Sequence, residues 1–146
     1  MIVIVDTNIL ISACLKPEGK ISRLLNTANN KIDFLIPEFA LSELNDHLAR
    51  ITEQTNTDSD LFLLNLSVIV EKAVIYPDHS VSNQDLTSAE KLTKNIDIDD
   101  TIFVAFAIAM DSLLWTGDLK LYRALKKKKF NQVLLTRDLE NIIKGL

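Results

Sequence analysis

Ile2-Val3-Ile4-Val5-Asp6-Thr7-Asn8-Ile9-Leu10 opens the chain, and its reading decides the fold. Four apolar residues in a row, without polar alternation, are the pattern of a central strand covered on both faces in a parallel sheet. Asp6 ends the run, and apolar residues resume at Ile9-Leu10-Ile11 in what reads as a helix. Similar short runs recur as Phe34-Leu35-Ile36, Val74-Ile75-Tyr76, Leu113-Leu114-Trp115 and Val133-Leu134-Leu135, each followed by proline or a polar residue. Between them, Leu41, Leu44, Leu48 and Ile51, and then Leu61, Leu64 and Val68, have helical spacing. The alternation predicts an α/β fold with a central parallel sheet of about five strands joined by right-handed crossovers.

The 146 residues suit one domain spanning 1–146, long enough to bury a core without staples. With 47% hydrophobic and 25% charged residues, the composition is that of a folded protein rather than a disordered one. Segment 52–60 reads as a surface loop between two helices, and a second polar stretch, 78–85, precedes the helix carrying Leu86, Ala89 and Leu92. A single cysteine, Cys14, excludes an intramolecular disulfide framework and a cysteine-based zinc site. The first residues lack the basic region of a signal peptide, and the apolar run 102–110 is too short to cross a bilayer. A cytoplasmic protein without membrane association is the expectation. Sixteen basic against 20 acidic residues give a net charge of −4, which excludes nucleic-acid binding by global electrostatics alone.

Ligands of parallel α/β sheets bind at the carboxyl ends of the strands, so acids at those positions carry the most functional information. Asp6 follows the first strand, with Thr7 or Asn8 expected to cap the next helix. Asp118 follows Leu113-Leu114-Trp115-Thr116-Gly117 in an equivalent place. Asp97, Asp99 and Asp100 cluster before the helix of the 102–110 run. Charge-dipole capping accounts for one or two of these acids, and Asp99 is the expected cap, with Asp97 and Asp100 sharing a face. Glu43 shares a helical stripe with Phe39, Asp46 and His47, and by periodicity alone it reads as a surface acid. Should these carboxylates converge, their repulsion requires protons or cations. An all-oxygen donor set selects Mg²⁺ or Mn²⁺, which can activate water toward a phosphodiester.

Four motifs in series, Asp6-Thr7-Asn8-Ile9-Leu10, Ala40-Leu41-Ser42-Glu43-Leu44, Asp100-Thr101-Ile102-Phe103-Val104-Ala105-Phe106-Ala107 and Thr116-Gly117-Asp118, resemble the PIN domain, the fold of VapC-type toxins. The resemblance spans essentially the whole chain. It implies a three-layer α/β/α fold and a metal-dependent ribonuclease, an endonuclease using Mg²⁺ or Mn²⁺, whose four acids map to Asp6, Glu43, Asp100 and Asp118. Asp97 and Asp99 stand as possible additional ligands, and Asn8 and Thr116 as supporting polar positions. A homodimer, an antitoxin partner and RNA as substrate follow from the same likeness.

Six positive charges without an intervening acid, Lys120, Arg123, Lys126, Lys127, Lys128 and Lys129, follow Asp118. They read either as a solvated helix end complementing the macrodipole or as a contact for RNA phosphates beside the acidic site. His47 and His79 have no neighbouring Cys or His in sequence and are read as non-ligands. A receiver-type signalling domain is the main rival, with Asp78 as phosphoacceptor. It lacks the adjacent acids after strand one and the lysine after strand five, where Thr136-Arg137 stand. A catalytically silent protein-binding module is the third reading.

Overall fold

A computed structural model describes residues 1–27 and 31–146. All five expected strands form: β1 (Ile2–Val5), β2 (Asp33–Pro37), β3 (Val74–Tyr76), β4 (Leu113–Trp115) and β5 (Val133–Leu134). They make one sheet in the order β3-β2-β1-β4-β5, every neighbouring pair parallel. Eight α-helices accompany them among the described residues: α1 (Thr7–Leu15), α2 (Lys20–Thr27), α3 (Glu38–Gln54), α4 (Ser59–Lys72), α5 (Asn83–Thr93), α6 (Thr101–Ala109), α7 (Leu119–Lys127) and α8 (Thr136–Lys144). Helix α1 packs on α2, α3 and α4, whereas α5 packs on α6 and α7. Right-handed crossovers place these two groups on opposite faces of the sheet, giving the three layers.

Burial follows the sequence pattern. Val3, Ile4 and Val5 are inaccessible to solvent, as β1 is central and covered on both sides. Helix α6, Thr-Ile-Phe-Val-Ala-Phe-Ala-Ile-Ala, is apolar nearly all round and is buried along most of its length. None of the described helices is long and apolar enough to cross a membrane.

Two local expectations are corrected. The polar segment 52–60 is mostly helix: α3 runs to Gln54 and α4 begins at Ser59, leaving a turn of 55–58. Thr52 is buried, its hydroxyl bonded to the Leu48 and Ala49 carbonyls, and Asp58 caps α4 by accepting from the Asp60 and Leu61 amides. Its polar composition reflects helix ends rather than a loop. The receiver reading fails on topology, since that fold orders its strands 2-1-3-4-5. Asp78 instead accepts the Phe39 N–H at 3.0 Å, serving the start of α3, where Pro37 offers no side-chain cap.

The strand order changes direction between β1 and β4, the switch point where parallel α/β sheets open a crevice. Register pairs Val5 with Trp115, so Asp6 and Thr116 leave the sheet side by side, and the Asp6 N–H donates to the Trp115 carbonyl. Helix α3 packs on α1, α4 and β2. Across the crevice, the Phe39 and Phe103 rings meet edge to face at 6.0 Å. Glu43 lies one turn beyond Phe39, and Asp100 three residues before Phe103, and both acids line the same opening.

Candidate functional site

Asp6, Thr7, Asn8 and Ile11 at the start of α1, Glu43, His47, Arg50 and Ile51 of α3, Asp97, Asp99, Asp100 and Phe103, and finally Asp118, line one cleft of about 260 Å³. The structure thus brings together the four principal acids and both additional aspartates. Of the supporting pair, Asn8 lines the cleft and Thr116 lies beneath it, fully buried.

Thr116 connects the two strand-end acids. Its hydroxyl donates to Asp6 Oδ2 at 2.6 Å, and Thr116 Oγ1 itself accepts the Asp118 N–H at 3.1 Å. Asp118 is also the N-cap of α7, with Oδ1 accepting from the Lys120 and Leu121 amides. Its second oxygen has no protein partner among the described residues. Asp100 occupies the N-cap position of α6, but its carboxylate makes no capping bond. Capping here falls to Asp97, not the expected Asp99: the Asp97 carboxylate accepts the Asp99 N–H at 3.0 Å and starts the 3-10 turn Ile98–Asp100. At the head of α1, neither Thr7 nor Asn8 caps the helix. Asp6 takes the N-cap position without a side-chain capping bond, and the buried Thr7 Oγ1 has no hydrogen-bond partner.

Electrostatics follow from this crowding. Burial pushes the Asp6 carboxyl above its ordinary value, opposed by the Thr116 hydroxyl and reinforced by Glu43 and Asp118. Asp100 is pushed up to about 7, first by burial and then by Asp6, Asp118, Asp97 and Glu43. Among the described residues, the salt bridges are those of Glu140 with Lys20 and Lys144, so no cleft acid has an ion-pair partner. Cys14 contributes nothing chemical here: burial pushes its thiol up to about 12 and leaves it an inert core residue.

The donor set is one that a hard divalent cation selects: carboxylate oxygens without an ion-pair partner, beside an orphaned hydroxyl. Among the described residues, no group of three or more acidic, histidine or cysteine side chains stands close enough to hold a metal ion as arranged.

A profile of the PIN domain matches residues 4–138, nearly the whole chain. The chain belongs to the PIN domain family. Its fold is similar to that of VapBC2 from Rickettsia felis, solved bound to a DNA fragment from the promoter, at 18% identity and TM-score 0.66, covering 92% of this chain and 97% of that one. It is equally similar to VapBC-1 from nontypeable Haemophilus influenzae, at 16% identity and TM-score 0.66, covering 94% and 99%. None of the curated proteins compared matches the chain in sequence.

Arg50 of this PIN domain's cleft escaped the sequence reading, and His47, read as a non-ligand on the Glu43 stripe, lines the cleft too. They follow Glu43 by seven and four positions in α3 and border the acids. The signal was there in the helical stripe, but a lone histidine and a lone arginine among polar neighbours give no reason to prefer that face. The basic run meets a different fate. Rather than forming one surface, it winds around α7. Lys128 Nζ donates to the Lys91 and Leu92 carbonyls at the end of α5, and Lys126 Nζ sits 5.5 Å from the Tyr122 ring centre. Lys129 adopts φ 62° just past the helix, in the Schellman turn closed by Lys129 N–H to Lys126 O and Phe130 N–H to Leu125 O. Lys120, Arg123 and Lys127 remain on one exposed face.

Proposed function

We propose that this PIN domain, a single unit over residues 1–146, is an RNA endonuclease that hydrolyses phosphodiester bonds with Mg²⁺ or Mn²⁺ held by Asp6, Glu43, Asp100 and Asp118. One observation supports it above the others: buried and half-buried carboxylates converge at the β1/β4 switch point without a protein cation paired to any of them. Such an arrangement is tolerated at neutral pH only if protons or bound cations compensate it.

A divalent cation held there supplies Lewis-acid stabilisation to the phosphodiester under attack. The chain's own groups do the rest. Thr116 fixes the Asp6 carboxylate through one oxygen, the α7 amides fix Asp118 through one oxygen, and both residues line the cleft. Asp100 makes no capping bond, so its carboxylate stays available to the cation that would offset the repulsion of the neighbouring acids. Arg50 offers a guanidinium to a phosphate oxygen at the rim of the cleft.

Since both structural neighbours are VapBC proteins, the reading extends to the toxin of a type II toxin-antitoxin pair: a cytoplasmic homodimer restrained by an antitoxin protein. The test is cleavage of structured and unstructured RNAs, with and without EDTA, by the native protein and Asp100→Asn. Metal-dependent cleavage by the native protein alone supports the reading. Chelator-resistant cleavage, equal in the two proteins, would sink it.

A further inference from the structure

A cavity of about 490 Å³ lies apart from the acidic cleft. It lies where the α1–α2 turn faces the start of α8, and Lys16, Lys20 and Arg137 border it. Arg137 also borders a second cavity of about 420 Å³, together with Leu119, Tyr122 and Arg123 of α7. The two cavities, which share Arg137 in their walls, are together termed the trough. Lys20 is already paired with Glu140 at 3.1 Å, but Lys16, Arg123 and Arg137 are exposed and have no salt bridge or side-chain hydrogen bond among the described residues.

The trough adjoins the cleft through covalent structure. Asp118 lines the cleft and Leu119, the next residue, lines the trough. Helix α1 borders both: Ile11 lines the cleft, and Ser12 and Leu15 line the trough. Arg137 is held at this edge by its neighbour: the Trp115 Nε1–H donates to Thr136 Oγ1 at 3.1 Å, tying the first turn of α8 to the end of β4. We infer that this trough is a backbone-binding subsite for single-stranded RNA, in which Arg137 and Arg123 grip phosphates of the strand leaving the acidic cleft across the β4 and β5 ends.

Three features support this occupant. Guanidinium forks match phosphate oxygens bidentately. An exposed Leu119, at 49%, and the Tyr122 ring give sugars and bases an apolar surface between the cations. Charge separation along one edge also answers the problem posed by a net charge of −4, since the repulsive acids act at one phosphate while the flanking ones find cations. The inference rests on the nuclease reading, and its test separates the two.

Binding of a 2′-O-methyl oligonucleotide, which is not cleaved, is measured in EDTA by fluorescence anisotropy across a salt series. The proteins compared are the native chain, Arg123→Gln/Arg137→Gln, and a Lys94→Gln/Lys144→Gln control of equal charge change. Loss of two phosphate contacts predicts a roughly tenfold weaker Kd and a log–log salt slope shallower by about 1.4 for the arginine variant only. In Mg²⁺, that variant raises KM for long RNAs while kcat stays near native. A native protein that cleaves, with the arginine variant binding and cleaving identically, overturns the trough and leaves the nuclease reading standing. Absence of metal-dependent cleavage by the native protein overturns that reading, while the salt slopes in EDTA still decide whether the trough binds RNA. Polyglutamate of equal charge competing as well as RNA would reassign the trough to acidic protein segments and overturn the inference.

Discussion

Asp6 and Arg137 stand on either side of the end of β4, one 3% exposed and hydrogen-bonded, the other exposed and unbonded. The cleft around Asp6 is built into the fold. Its carboxylates sit on strand ends and helix starts, are fixed by Thr116 and the α7 amides, and carry a cost of burial that shows in the raised Asp6 and Asp100. The trough around Arg137 is laid on the surface, where cations add little to stability in either direction. Buried charge has to be positioned and compensated, so it governs reactivity and stability together. Exposed charge is free to govern affinity alone.

The largest expected effect lies in the cleft. Asp6→Asn or Asp100→Asn keeps shape and removes a charged ligand, so RNA cleavage falls by about 100-fold or more, beyond the loss typical of an outer-shell partner. Circular dichroism should show the fold intact, and an inactive but unfolded variant would instead make the acid structural. Thr116→Val comes next. It strands the Asp6 carboxylate and the Asp118 amide together, costing about 1–3 kcal/mol, which is a Tm lower by roughly 3–9 °C in calorimetry. An unchanged Tm would mean that water replaces the hydroxyl.

The pH dependence sharpens the contrast further. Asp6 and Asp100 have folded-state values above their unfolded ones, so the folded chain binds more protons. Their contribution to stability is complete below about pH 4 and is lost as pH rises, for Asp100 through about 7. Metal-free protein should therefore lose Tm from these groups between pH 5 and pH 8, with roughly 1 mM Mg²⁺ restoring it at the upper end. Asp100→Asn flattens the profile, its Tm at pH 8 rising by roughly 3 °C, and an equal profile in the variant would remove Asp100 as the cause.

On the basic side, the smallest effect is expected at Lys129. Its φ of 62° disfavours a side chain with a Cβ, so Lys129→Gly stabilises by about 0.5–1 kcal/mol and raises Tm by roughly 2–3 °C. RNA affinity in the salt series should change less than twofold. A larger loss would return the lysine run to the RNA surface as a whole.

Much of the fold was legible because its signals are local. Ile2-Val3-Ile4-Val5 can be a strand covered on both faces and little else, and the four later runs repeat the pattern. Asp6 and Asp118 were readable as site residues since position after a strand has a physical meaning in this architecture. Glu43 was not readable in that way. Its helical stripe borders solvent, and only the packing of α3 on α1, α4 and β2, with the Phe39–Phe103 contact between residues 64 apart in the chain, brings that stripe to the acids. The division of labour between Asp97 and Asp100 was equally hidden, because which of two acids three residues apart caps a turn depends on backbone angles. Asp97 is extended and caps, whereas Asp100 is already helical and stays free.

By itself the sequence determined the strands, the apolar core and the standing of Asp6 and Asp118 after strands, through periodicities and turn chemistry that act over a few residues. Tertiary structure alone decided the strand order, the joining of Asp6 to Asp118 through Thr116, and the fate of each lysine around α7. It also decided the meeting of Arg123 with Arg137. Those relations join residues from about ten to more than a hundred positions apart, and distance in the chain carries no information about distance in space until the sheet is closed and packed.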